Sequence, residues 1–173
     1  MTTSACATVA QVRFKELKSR IGLAAFVGVA AWIMAHSAWP LWWFLAVVAT
    51  QYLDEAVFRP LRLNPEMPIN RAYSALFCAV TVLTVTVYAG ITAYLWFNGG
   101  QVGKIFAMVQ CSGGLLHVSL HMHHDRRILF CSVTPHAAFF LGLPLIGAFS
   151  SQNWIELLIP VGGLLYMARL VVA

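Results

Sequence analysis

A chain of 173 residues that is 60% hydrophobic and only 10% charged, with a mean hydropathy of +0.77, lies far from the composition of water-soluble domains, which carry roughly 25% charged residues. This excludes a soluble globular domain and points to an integral membrane protein; at about 20 apolar residues per crossing there is room for six spans and little else. The net charge of +5 is not a nucleic-acid signal, because the basic residues fall where membrane topology puts them, and no glycine-rich phosphate loop or Cys-x-x-Cys pair is present.

Residues 1–20 read as a short polar cytoplasmic segment, with Arg13, Lys15, Lys18 and Arg20 clustered before the first apolar run. That run, residues 21–37, is expected to be a span. Ala35-His36-Ser37 resembles a signal-peptide cleavage site, but the next span follows at once and the bundle needs this helix. The second span covers residues 39–58; Pro60, Pro65 and Pro68 then break the helical pattern and make residues 59–71 a connecting loop. The third, residues 71–97, is rich in β-branched side chains, yet its length argues for a membrane helix over a strand. Asn98-Gly99-Gly100 is a turn, and the fourth span occupies residues 102–124. The fifth, residues 128–149, contains Pro135 and Pro144 as expected kinks. After a tight turn at residues 150–153, the sixth covers residues 154–172, with Pro160 and Gly162-Gly163 inside it. The expected fold is thus all-α and polytopic: residues 21–173 form one bundle of six transmembrane helices.

Orientation follows from the basic residues. With the N-terminus inside, Arg13, Lys15, Lys18, Arg20, Arg59, Arg62, Arg71, Arg126, Arg127 and Arg169 are cytoplasmic and only Lys104 is outside, ten of the eleven. All six tryptophans then fall toward the outer ends of their spans, as an interfacial belt would place them. Both termini are expected in the cytoplasm of a bacterium whose inner membrane holds the protein. Cys6, Cys78, Cys111 and Cys131 lie in the cytosol or within spans, where disulfides do not persist, and read as buried small apolar residues.

The chemistry concentrates at the end of the fourth span, where four of the six histidines stand within eight residues. On a helix, Gln110, His117, His121 and His124 fall within about 60° of one another, flanked by Gly113 and Gly114, which allow another backbone or a bound group to come close. His123 points elsewhere. Ionisable side chains are costly inside a membrane, so this stripe is the strongest functional pointer in the chain. His117 lies about 10 Å deeper than His124, and His136 on the antiparallel fifth span lies about 12 Å in, level with His117 and His121. Gln51, Asp54 and Glu55 share a face at the inner end of the second span, within reach of the His121–His124 level. Ion pairs are expected on this inner rim among Asp54, Glu55, Arg59, Arg126 and Arg127, with Glu55–Arg59 the local alternative.

Imidazoles with a carboxylate suit a transition metal, the candidate ligands being His117, His121, His124, His136 and Asp54. His117 or His121 facing His136 would suit a b-type haem. Equally, the deeper histidines hydrogen-bond between helices and His123 and His124 are interfacial. One cluster plus a lone His136 falls short of the several histidine boxes of the membrane di-iron desaturases. No Ser–His–Asp arrangement is evident.

Gln51-Tyr52-Leu53-Asp54 with Phe58-Arg59-Pro60-Leu61, Tyr94-Leu95-Trp96-Phe97 with Gly99-Gly100, and Leu115-Leu116-His117-Val118-Ser119-Leu120-His121 carry a resemblance. Over nearly its whole length the chain resembles the six-span N-terminal membrane regions that precede PAS and histidine-kinase domains in bacterial sensor kinases. The resemblance implies signal input, with a kinase core beyond the last span; it transfers no ligand and no role for the histidines. The expected partners are the lipid bilayer, a downstream cytoplasmic kinase domain or partner protein, and a second copy in a homodimer. These 173 residues hold no phospho-accepting histidine region or ATP-binding domain. The expected function is a membrane-embedded sensory or regulatory module. The alternatives are a small redox or metal- or haem-binding membrane protein using the histidine cluster, and a small transporter, supported only by the Pro/Gly interruptions in the last two spans.

Overall fold

Backbone amides that meet lipid must be satisfied within their own segment, and this restricts so apolar a chain to helices. A computed structural model describes residues 3–122, 124–151, 154–158, 160–163 and 165, and the regular elements among them are all helical. They are α1 (Thr3–Lys15), α2 (Leu17–Ala35), α3 (Trp39–Leu63), α4 (Arg71–Asn98), α5 (Gly100–His121), α6 (Arg126–Ser151) and a 3₁₀ turn at Trp154–Leu157.

Three helices are long and apolar enough to cross a membrane: Leu17–Ala35, Arg71–Asn98 and Arg126–Ser150. Their outward faces carry large exposed apolar side chains such as Phe26, Leu83, Phe130 and Ile146, as a lipid-facing surface requires. With 25 and 22 residues, α3 and α5 also have spanning length. They carry Asp54, Glu55, Arg59 and Arg62, and Lys104, His117 and His121, which dilute their apolar character. The sixth expected span falls partly outside the described residues, as do His123 and Arg169.

Two local expectations need correction. The N-terminal segment is not merely a polar lead-in: it folds as α1, which buries Cys6, Ala7, Val9, Ala10 and Arg13. Pro60 does not end the second span, because α3 continues through it to Leu63. A proline removes only the one hydrogen bond its own nitrogen would donate, and here the helix closes within a turn, with Asn64 N–H bonded to Pro60 O at 2.9 Å. The connecting loop is therefore short, and Asn70 ends it by accepting the Tyr73 N–H at 2.9 Å on its side-chain oxygen, capping α4. The turn between α4 and α5 falls at Gly99 and Gly100, the latter at φ 61°, where a side chain would be strained.

Helix α4 is central and packs against α2, α3, α5 and α6, while α1 lies mainly on α3. Buried residues fall into two apolar clusters. One joins Ala24, Val27, Trp43, Val47, Ile91, Leu95, Met108 and Leu143. The other joins Cys6, Val9, Phe58, Leu61, Phe77, Val118, Met122 and Ile128, with α1 contributing directly. Three of the long helices also bury polar side chains: Gln51 and Asp54 on α3, Thr81 and Thr84 on α4, and Ser132 and His136 on α6. This polar layer positions the candidate site.

Candidate functional site

The layer is organised by a buried ion pair. Arg13, 4% exposed, grips Asp54, 1% exposed, with two parallel bonds, Nε to Oδ2 at 2.9 Å and Nη2 to Oδ1 at 2.5 Å. This two-pronged geometry matches a guanidinium to a carboxylate and holds both side chains in register. The Arg13 guanidinium also lies 4.8 Å from the centre of the Phe58 ring. Arg20 approaches the same carboxylate at 3.7 Å and donates to the Arg13 carbonyl at 2.5 Å, bracing the junction between α1 and α2.

Beside this pair a cavity of about 610 Å³ opens among α2, α3, α4, α5 and α6. That volume lies within the range of small-molecule sites. Its wall includes Arg20, Gln51, Tyr88, Gln110, His117 and His136. Several residues of the wall carry a buried polar atom without a hydrogen-bond partner: Arg20 Nε, Gln51 Oε1 and Ser132 Oγ. Each such group costs about 1–3 kcal/mol unless something satisfies it, so a modest side-chain turn that presented them to a polar occupant or ordered water would be favourable.

The histidine stripe faces this cavity. His117 and His121, one turn apart on α5, have ring centroids 4.5 Å apart. Both meet Glu16, with His121 Nε2 3.0 Å from Oε1 and His117 Nε2 3.2 Å from Oε2. These three residues offer ligand atoms that all lie within 4.8 Å of one another. His121 Nδ1 sits 2.9 Å from the His117 carbonyl oxygen, which fixes the ring and directs Nε2 at Glu16.

Of the other expected site residues, His136 lines the same cavity without joining the His–Glu cluster, and His124 and Asp54 lie outside both. His136 is buried on α6 with its ring against the α5 backbone at Gly114, where any Cβ would collide with its Nε2. Gly114 is thus the space that lets the His136 ring in. Gly113, by contrast, has open space beside it on the cavity side. His124 lies beyond the end of α5, exposed. Asp54 reaches the layer but is committed to Arg13 and Arg20.

The expected inner-rim pairing between Asp54 or Glu55 and Arg126 or Arg127 is replaced. Glu55 pairs with Arg62 at 3.2 Å, and Arg127 Nη1 reaches Ser74 Oγ at 3.5 Å. Instead Asp125 ties α6 to α1: its Oδ1 caps α6 by accepting the Arg127 and Ile128 amides, at 2.9 and 3.2 Å, and its Oδ2 accepts the Cys6 thiol at 3.3 Å. Burial, reinforced by that carboxylate, pushes the Cys6 thiol up to about 12. At the far end, Lys104 pairs with Glu156 at 2.6 Å, a separate contact.

Glu16 is the site residue that the sequence reading missed. Its signal was present: Arg13, Glu16 and Arg20 recur at three- and four-residue spacing, one face of a helix. Comparison with known families, characterised proteins and solved structures finds no match, so the site is read from its own geometry.

Proposed function

We propose that the protein is a membrane-embedded sensory module that binds a small polar or amphiphilic molecule in the cavity and passes its occupancy to a cytoplasmic kinase domain or partner. The observation that carries this reading is the convergence of unpartnered buried polar atoms, Gln51 Oε1, Ser132 Oγ and Arg20 Nε, on one cavity of about 610 Å³. The cavity is bounded both by spanning helices and by Arg13 and Arg20 at the N-terminal end, so an occupant would bias how α1 docks on α3.

The reading includes six spans with both termini cytoplasmic in a bacterial inner membrane, supported by the ten-to-one division of basic residues. Cysteines introduced at Asn64 and Asn98 then react with impermeant reagents from opposite sides; reaction of both from outside would end it.

The binding reading is tested with the full chain in native-lipid discs. Mass spectrometry of extracted contents should find a molecule in stoichiometric amount. Gly113→Leu fills open space from a helical position without touching the ion pair. It should expel that molecule while helix content is preserved. If wild type and Gly113→Leu carry the same contents, the cavity is not a binding site.

A further inference from the structure

A contradiction in the lone pairs around Glu16 points to a second kind of ligand. His121 Nδ1 stands 2.9 Å from a backbone carbonyl oxygen, which accepts only, so Nδ1 carries the hydrogen. In the neutral ring Nε2 then presents a lone pair, and it does so 3.0 Å from Glu16 Oε1. Two acceptors at that separation repel unless a cation lies between them, either a second ring proton or a metal ion. The arrangement of His117 helps to choose. Its Nε2 is 3.2 Å from the other Glu16 oxygen, yet Glu16 Oε2 has no properly aligned hydrogen bond. Two imidazoles and a carboxylate therefore converge on one point, an arrangement that either a protonated His–Glu pair or a shared metal ion would hold together.

The spacing suits a metal. Around a tetrahedral zinc ion with bonds of about 2.0–2.1 Å, neighbouring ligand atoms stand about 3.3–3.4 Å apart. The observed nitrogen–oxygen separations of 3.0 and 3.2 Å, each to a different oxygen of Glu16, are near that edge length, and the three ligand atoms all lie within 4.8 Å of one another, so a small shift of the side chains would close them on an ion. The two histidines are four residues apart on one helix face, the spacing at which helical pairs chelate zinc. The His117 carbonyl holding His121 Nδ1 is the kind of outer hydrogen bond that orients a metal-binding imidazole. Arg13 and Arg20, the nearby cations, are engaged by Asp54 and the Arg13 carbonyl, which leaves the Glu16 carboxylate to the histidines.

We propose that Glu16, His117 and His121 form a binding site for a divalent transition-metal ion of the zinc class, with its fourth coordination position open to the cavity. The three ligands come from the α1–α2 junction and from α5, which otherwise touch little, so the ion would clamp the N-terminal helix pair to the histidine helix. The site borders the cavity proposed above for an organic ligand, so the two readings are tested with separate variants. Asp54, His124 and His136 take no part.

Zinc and cobalt are the probes, added to metal-stripped full-length protein in lipid discs. Calorimetry should give one zinc per chain, and cobalt should produce the intense visible absorption of a four-coordinate ion. Glu16→Gln and His121→Ala should each weaken zinc binding at least a hundredfold, while His36→Ala leaves it unchanged. Gln51→Leu, which alters the cavity wall but no metal ligand, should also retain zinc, so failure of the organic-ligand reading would not resemble failure of this one. Where a variant does not fold, wild type suffices. Bound zinc should shield His117 and His121, but not His36, from acylation by diethyl pyrocarbonate. Absence of stoichiometric zinc in folded wild type, wild-type affinity in either ligand variant, or unshielded histidines would overturn the site and leave a protonated His–Glu pair.

Discussion

Around Trp43, Val47, Leu95, Met108 and Leu143 the helices meet almost entirely through apolar side chains, whereas two to three turns away the same helices meet through Asp54, Thr81, Thr84, Ser132 and His136. The polar contacts of the apolar half are side chains bonding backbone carbonyls, such as the Trp43 indole donating to the Val87 carbonyl at 2.7 Å and the Thr92 hydroxyl donating to the Ala89 carbonyl at 2.6 Å. This half is closed, with Trp39 stacked on Tyr94 at 4.4 Å near its end. The polar half encloses the cavity and depends on α1, a helix from outside the apolar spans, to complete it. Lipid is as apolar as leucine, so shape alone specifies contacts in the first half, while charge and hydrogen bonding specify them in the second. The cavity of about 610 Å³ lies where side chains are held by polar partners rather than by mutual filling of space.

The comparison is broken most severely at Asp54. Asp54→Leu leaves Arg13 buried without its partner and should destabilise the protein by about 3–5 kcal/mol, measured by denaturant unfolding in mixed micelles. Replacing Arg13 and Arg20 by Met in the same background should recover most of that loss, since apolar residues of similar volume substitute well for a buried ion pair. No recovery would mean that the pair also builds the fold, not only its register.

In the apolar half Leu95→Ala should cost about 2–4 kcal/mol through lost packing, with no rescue by any charge change. Leu95 is fully buried. Its zinc affinity, measured on the folded fraction, should match wild type; a change would show the two halves to be coupled.

The smallest effect concerns the seam between α1 and α6. Cys6 is held as the neutral thiol because its folded value is raised to about 12 from an ordinary 9.0, chiefly by burial. Its contribution to stability is therefore complete below about pH 9 and is lost as pH rises toward 12. Maleimide at pH 8 should label it only as the protein unfolds, and Cys6→Ala should flatten the alkaline decline in stability. Fast labelling of native protein would show α1 detached from the bundle.

Much of this architecture was legible in the sequence, and its limits lie at particular residues. Long apolar runs marked α2, α4 and α6, because a membrane leaves a chain no alternative to the helix. The four-residue spacing of His117 and His121 likewise predicted one face, a local property of helix geometry. The basic cluster before residue 21 was read for topology alone, and this concealed the roles of Arg13 and Arg20 as partners of Asp54.

By itself, then, the sequence determined the long apolar helices and the face on which His117 and His121 stand, since these depend on neighbours within a turn or two, but not where the helices end: α1 and the continuation of α3 through Pro60 were not legible in it. Only the tertiary structure decided that Glu16 meets His117 and His121, that Asp54 belongs to Arg13, and that Gly114 admits the His136 ring. Those contacts join helices remote along the chain. Helical periodicity specifies the direction of a side chain about its own axis, but which helix lies in that direction depends on the packing of the whole bundle.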